Sequence, residues 1–417
     1  MQELNVKSGW KKERANDISL KIILFLISPF LSMIYSLRTL NRKSSFVVLY
    51  LFFLFFGMAF TTGSGKTNEN LSDSSVYRLR FEQIALYDFN QYLIGLKEYF
   101  SFQEKKDYFF DTLSFILTRF TDNYHFLFLS VSIIFAYFML RSLSFLVKDV
   151  NYKTSTVGLL LVLFFLYIDI FNINGIRFWT TYWIATYCVF QIYAASKPKY
   201  WLLVLITPLF HIAYLAFVVL MVAFRVVSKK QKTLIIFFLI SVFLGFLSLS
   251  FLEWTSKYLP SVLQKMIVVY TSEGQFESNE QISSLGGKIQ NILNYAKFGL
   301  MNFMVYLLIL NKEEIGKTSQ DNKVFAFILF WIGIFNIFYS IPSFGSRFIV
   351  LGYPLLAYLW LRLFGVFKYK WVVLLIPVVL FWDIRLKLNS FERWQSIDFL
   401  YTNPILIIYK YLVVPPL

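Results

Sequence analysis

The chain has 417 residues, of which 58% are hydrophobic and only 15% charged, with 49 Phe and 27 Tyr. No soluble domain covers that much apolar surface, so lipid is the solvent for most of the chain. The formal net charge of +16 does not mark a nucleic-acid partner, because Lys and Arg fall in short loops between apolar runs and no soluble domain carries a basic patch.

The first 17 residues are polar and lack a small-residue cleavage site, so no removed signal peptide is expected. Runs of about 20 apolar residues, enough to cross a bilayer, fall at 18–37, 44–62, 124–145, 154–171, 174–195, 232–252, 294–311, 323–341, 347–364 and 370–386. Segment 18–37 holds Lys21 and Pro29, and reads either as a crossing or as partly interfacial. Lys7, Lys11, Lys12 and Arg14 before it compete with Arg38, Arg42 and Lys43 after it for the cytoplasmic side. Two long polar loops, 63–123 and 253–293, interrupt a single transmembrane domain spanning 1–417, the first of them with amphipathic helices. An apolar tail at 404–415 suits the membrane surface.

Stretch 199–227 has basic clusters at both ends and Pro208 and His211 in the middle. One crossing would put Lys197 and Lys199 opposite Arg225, Lys229, Lys230 and Lys232. Two short helices meeting near His211 return both clusters to one side, together with Lys148, Lys153, the 312–323 lysines, Arg362 and Lys370. The second reading satisfies every later loop with one rule. It implies an all-α polytopic protein of about 11–12 membrane helices, including a short re-entrant hairpin. Both long loops, and the turns before Arg177 and Arg347, then face outward.

Those two arginines are the first candidates for chemistry. Arg177 opens a span in "NINGIRFW", with Asn172 and Asn174 as candidate caps and Gly175 loosening the bend. Arg347 repeats the pattern in "IPSFGSRFIV", with Ser343, Ser346 and Gly345 in those roles. A cation at a helix N-terminus is unfavourable without an anion, and two guanidiniums beside free N–H groups suit a pyrophosphate. The plainer reading is that each arginine snorkels or meets a carboxylate.

His211 sits at the hairpin tip, as a buried hydrogen-bonding residue or as a group serving a phosphate or hydroxyl. His125 reads as interfacial. Asp73 and Tyr77 lie one helical turn apart, and Asp73 is either a solvated acid or a base or arginine partner. "GSGKT" at 63–67 is no P-loop, since Phe60 occupies the first glycine position and a span rather than a strand precedes it. Glu313 with Glu314 reads as a solvated pair, and Glu273, Glu277 and Glu280 as a loose acidic face. The single cysteine, Cys188, lies in an apolar run.

The stretch "NGIRFWTTYWIATYCVFQIYAASKPKYWLLVLITPLFHIAY" resembles the core of the EpsG-like, Wzy-type polysaccharide polymerases. That family carries an N-x-I-R opening to a span, a short basic loop and a Phe-His pair, here Asn174, Arg177, Lys197 to Lys199, Phe210 and His211. Asp73 with Tyr77 is similar to its upstream Asp-x-x-x-Tyr, and Arg347 with Tyr353 to its late arginine before an aromatic span. Phe178 stands where the family usually has a polar residue.

The resemblance implies a GT-C-like, inverting, metal-independent glycosyltransferase. It would polymerise undecaprenyl-pyrophosphate-linked oligosaccharides at the outer face of a bacterial cytoplasmic membrane, for O-antigen, capsule or exopolysaccharide. Arg177 and Arg347 would hold the pyrophosphate, and His211 or Asp73 would orient or deprotonate the acceptor. Tyr77, Asn174, Trp179, Tyr339 and Tyr353 would contact substrate. No cofactor and no metal are expected. The partners are the lipid-linked glycan and the bilayer, with room for a chain-length regulator. A lipid-linked glycan ligase shares this site. A flippase predicts paired halves, which the sequence lacks, and an acyltransferase histidine would lack a supporting motif.

Overall fold

The computed structural model describes residues 10–62, 73–101, 108–149, 152, 156–244, 254, 285–339, 341–363, 369–389, 391 and 395–413. The described elements are helices, and no strand occurs among the described residues. Lipid offers no hydrogen-bond partners, so a backbone crossing it must satisfy itself within each segment. The chain is a polytopic all-helical membrane protein.

Among the described residues, four stretches are long and apolar enough to cross a membrane: His125–Val147, Val157–Ala194, Gly286–Leu310 and Phe344–Leu363. The second is interrupted by a 3-10 turn at Ile170–Gly175, between α8 (Thr156–Phe165) and α9 (Ile176–Val189). Shorter apolar helices, α3 (Lys43–Met58), α10 (Trp201–Phe210), α11 (Leu215–Val227) and α12 (Gln231–Leu244), pack around them. Gly57 lets α3 lie tight on α7 (His125–Val147), because a Cβ there would overlap the Ser132 side chain. Trp183, Trp331 and Trp360 are fully buried among these helices.

Segment 18–37 folds as a hairpin of α1 (Ala15–Ile27) and α2 (Pro29–Leu37), turning at Ser28. Asp17 binds Lys21 and Arg42 and accepts from the Tyr35 hydroxyl, and the Lys11 N–H donates to the Asn41 carbonyl at 3.0 Å. Both N-terminal basic clusters therefore lie at one end, and their competition disappears. At the hairpin tip, Ser28 donates to the Leu400 carbonyl.

Stretch 199–227 also folds back. Helix α10 ends at Phe210, His211 is extended, and α11 runs away again. Pro208 removes a donor from the last turn, and residues from earlier in the chain take up the carbonyls there. Tyr99 donates to the Pro208 carbonyl at 3.1 Å, the Tyr108 N–H to that of Leu209 at 3.3 Å, and Phe109 stacks on Phe210 at 4.1 Å. These partners come from 63–123, whose described residues form α4 (Asp73–Ala85), α5 (Phe89–Phe100) and α6 (Phe109–Thr118). The "GSGKT" run and loop 253–293 lie outside the described residues, apart from Trp254 and the chain from 285 onward.

The C-terminal tail packs on protein along one side and leaves apolar side chains exposed on the other. Asn123 donates to the Tyr411 carbonyl and Gln395 to that of Phe56, while Ile405 stays exposed. At the far end of the molecule from Arg177, Arg362 binds both Asp149 and Asp321.

Candidate active site

Residues 169–179 aim side chains in several directions at once. Asp169 caps the 3-10 turn, its Oδ1 accepting from the Phe171 N–H while Asn172 accepts from the Asp169 N–H. Neither Asn172 nor Asn174 caps α9: Asn172 completes the Asp169 capping box of the 3-10 turn, and Gly175, the residue before α9, offers no side chain. Asn174 accepts from the Ser74 N–H at 3.0 Å, which fastens the start of α4 to the start of α9.

Arg177 donates from Nε to the Tyr77 hydroxyl at 3.0 Å and lies 5.3 Å from that ring's centroid. Burial pushes the Tyr77 phenol above its usual range. Arg177, and more weakly Arg347, pull it back, whereas Asp73 pushes the same way as burial. Arg177, Arg347 and Asp73 are therefore all within electrostatic reach of one hydroxyl.

Phe178 points elsewhere. Its ring meets His211 at 5.4 Å, Tyr214 at 5.2 Å and Phe348 at 5.2 Å, and Arg347 Cζ lies 5.8 Å from its centroid. His211 accepts at Nδ1 from the Ala213 N–H at 3.2 Å, so in the neutral imidazole the proton sits on Nε2. That ring is built to donate from Nε2 rather than to take a proton there.

Arg347 begins a single helical turn, Arg347–Ile349, in a broken helix. Gly345 permits the break, because a Cβ there would overlap the Phe338 carbonyl. Carbonyls freed by the break find donors in the core: Trp331 Nε1 reaches Phe348 at 2.9 Å and the Tyr182 hydroxyl reaches Val350 at 3.2 Å. Broken helices are tolerated in lipid only with such partners. The Ser346 side chain does not cap the turn, and that of Ser343 lies outside the described residues. Arg347 itself is exposed and pairs with no carboxylate among the described residues.

Two adjoining cavities open here. The larger, about 290 Å³, is walled by Tyr167, Trp179, Tyr339 and Tyr353 and charged by Arg347, Lys297, Lys387 and Asp383. The smaller, about 230 Å³, holds Asp73, Asn174, Gly175, Trp179 and Lys387. Asn172, Trp179 and Lys387 line both. Tyr339 donates to the Asn294 carbonyl at 3.1 Å, and Tyr353 stacks on Phe164 at 4.6 Å, so both are fixed walls. Arg177, Tyr77 and His211 line neither cavity. They stand behind, around Tyr77 and Phe178.

Four charged residues here escaped the sequence reading. Lys297 binds Asp383 at 2.8 Å, and Lys387 binds Asp169 at 2.8 Å and donates to the Tyr167 carbonyl at 3.0 Å. Their signal was present, since Lys297, Asp383 and Asp169 are charges inside apolar runs, each a default pointer to function. Three cations and one carboxylate line the larger cavity, which therefore favours an anion.

A family model described as the EpsG family matches residues 50–393. No curated protein matches the chain. No solved structure matches it.

Proposed function

The chain belongs to the EpsG family, and on that premise we propose that it polymerises oligosaccharide repeat units carried on undecaprenyl pyrophosphate. The reaction is inverting glycosyl transfer of the GT-C type, without a metal, at the outer face of a bacterial cytoplasmic membrane. The observation that carries this reading is the cationic, aromatic-walled cavity lined by Arg347, Lys297 and Lys387, in which Arg347 pairs with no carboxylate among the described residues.

In the proposed reaction an acceptor sugar hydroxyl attacks the anomeric carbon of the donor. A glycosidic C–O bond forms, the bond to the diphosphate oxygen breaks, and the lipid diphosphate leaves with its electron pair. Arg347, with Lys297 and Lys387 nearby, meets the charge that builds on that oxygen. Arg177 acts through Tyr77 and α4, holding the lid of the site and adding to its positive field. His211, behind Phe178, orients the site through an Nε2 donor rather than by touching the diphosphate. Asp73, exposed at the smaller cavity beside Lys387, takes the acceptor proton. Trp179 and Tyr339 offer faces to sugar rings.

The sidedness rests on charge. Arg141, Lys148, Lys197 and Arg362 gather around one cavity at the end away from Arg177, as expected of a cytoplasmic face. The test is transfer by purified protein supplied with lipid-linked repeat units. A ladder of products supports polymerisation, a single addition makes the protein a ligase, and no glycosidic product rejects the reading.

A further inference from the structure

An apolar groove of about 560 Å³ runs beside the charged cavities, between α2, α3, the second half of α7, Leu388, Phe391 and residues 397–400. Phe52, Phe56, Met139 and Phe399 typify its lining, and Asp169 is the one charged residue among the lining residues. Asp169 stands where the groove meets the site, since its carboxylate holds Lys387, which lines both cavities. Phe171 lines the groove and the smaller cavity alike. The 3-10 turn Ile170–Gly175 is thus a shared wall, apolar on one side and cationic on the other.

The geometry points to one continuous site for an amphipathic anion: the groove takes the isoprenoid chain of the lipid carrier, and Lys387 and Arg347 take its diphosphate. The inference rests on the lipid-linked reading above and adds where the carrier lies. Two features select this occupant over ordinary bilayer lipid. The groove is continuous with a cation excess, which a neutral chain does not need. Its lining is apolar except for Asp169 at the end that meets the cations, the order of polarity along an isoprenoid diphosphate.

The test uses the full chain in detergent with a diazirine-bearing polyprenyl diphosphate. Crosslinks to residues 30–56, 139–143 or 397–400, displaced by unlabelled polyprenyl diphosphate but not by neutral polyprenol, are expected. Crosslinks elsewhere, or equal displacement by polyprenol, overturn the assignment. A second arm fills the groove with Met139→Trp. KM for a long-chain lipid-linked donor should rise about tenfold, as for the loss of roughly two buried methylenes, with a ten-carbon-chain donor unaffected. An equal rise for both donors also overturns it. Specific crosslinking without any sugar transfer would leave the groove standing and reject the polymerase reading, so the two failures are distinguishable.

Discussion

The Arg347 guanidinium lies over the ring of Phe178, its Cζ 5.8 Å from the centroid, and Phe178 follows Arg177 in the chain. The two arginines that open separate helices thus each meet an aromatic ring, Arg347 that of Phe178 and Arg177 that of Tyr77, and the chain joins them at the Arg177–Phe178 peptide. Phe178 is the hub on which Arg347, His211 and Tyr214 all converge.

Arg347→Ala should abolish polymer while leaving protein level and membrane insertion unchanged. The side chain is exposed, so its removal should shift stability by no more than about 0.5 kcal/mol. Arg347→Lys should rescue poorly, because a point charge cannot fork across two phosphate oxygens. Normal chain length from the alanine variant, read on a glycan gel, would remove Arg347 from the mechanism.

Arg177→Ala and Tyr77→Phe break one hydrogen bond from opposite sides. Each should lower both stability and activity, by about 1–3 kcal/mol of stability for a bond to a charged donor. In a double-mutant cycle on heat denaturation the two losses should be strongly non-additive. Additive losses would separate Arg177 from α4.

His211→Asn tests donor against cap. Asparagine can still accept from the Ala213 N–H, as Nδ1 does now, but it cannot reproduce the Nε2 donor. Retained thermal stability with lost transfer is the expected outcome. Wild-type transfer would make His211 a structural cap alone.

Lys297→Met leaves the Asp383 carboxylate without its ammonium in a largely buried pair. Loss of one partner should cost about 3–5 kcal/mol, and the double variant Lys297→Met with Asp383→Leu should recover much of it. Activity separates the roles: a stable but inactive double variant places the pair in the site, and a stable, active one leaves it purely structural.

Single cysteines at Lys12, Arg38 and Lys230 should react with an impermeant thiol reagent from the same side, and one at Leu86, 85% exposed, from the other. Native Cys188 is buried and should stay silent. Labelling of Lys12→Cys and Arg38→Cys from opposite sides would turn the N-terminal hairpin back into a crossing.

Much of this protein is legible along the chain. Hydropathy marks the lipid-embedded runs, Pro208 and the flanking lysines mark the fold-back at His211, and paired glycine–arginine turns mark the two helix starts. These signals are local: each residue reports the solvent and backbone geometry of its own segment. Only tertiary structure decided which charges meet. Lys387 finds Asp169 across 218 residues and Lys297 finds Asp383 across 86, because separate helices must bring such charges together before lipid will tolerate them. The same packing sends Arg177 to Tyr77, leaves Arg347 at the cavity and makes Asn174 a clasp on α4. Spacing in the sequence carries no trace of those choices, since they depend on how helices rotate against one another.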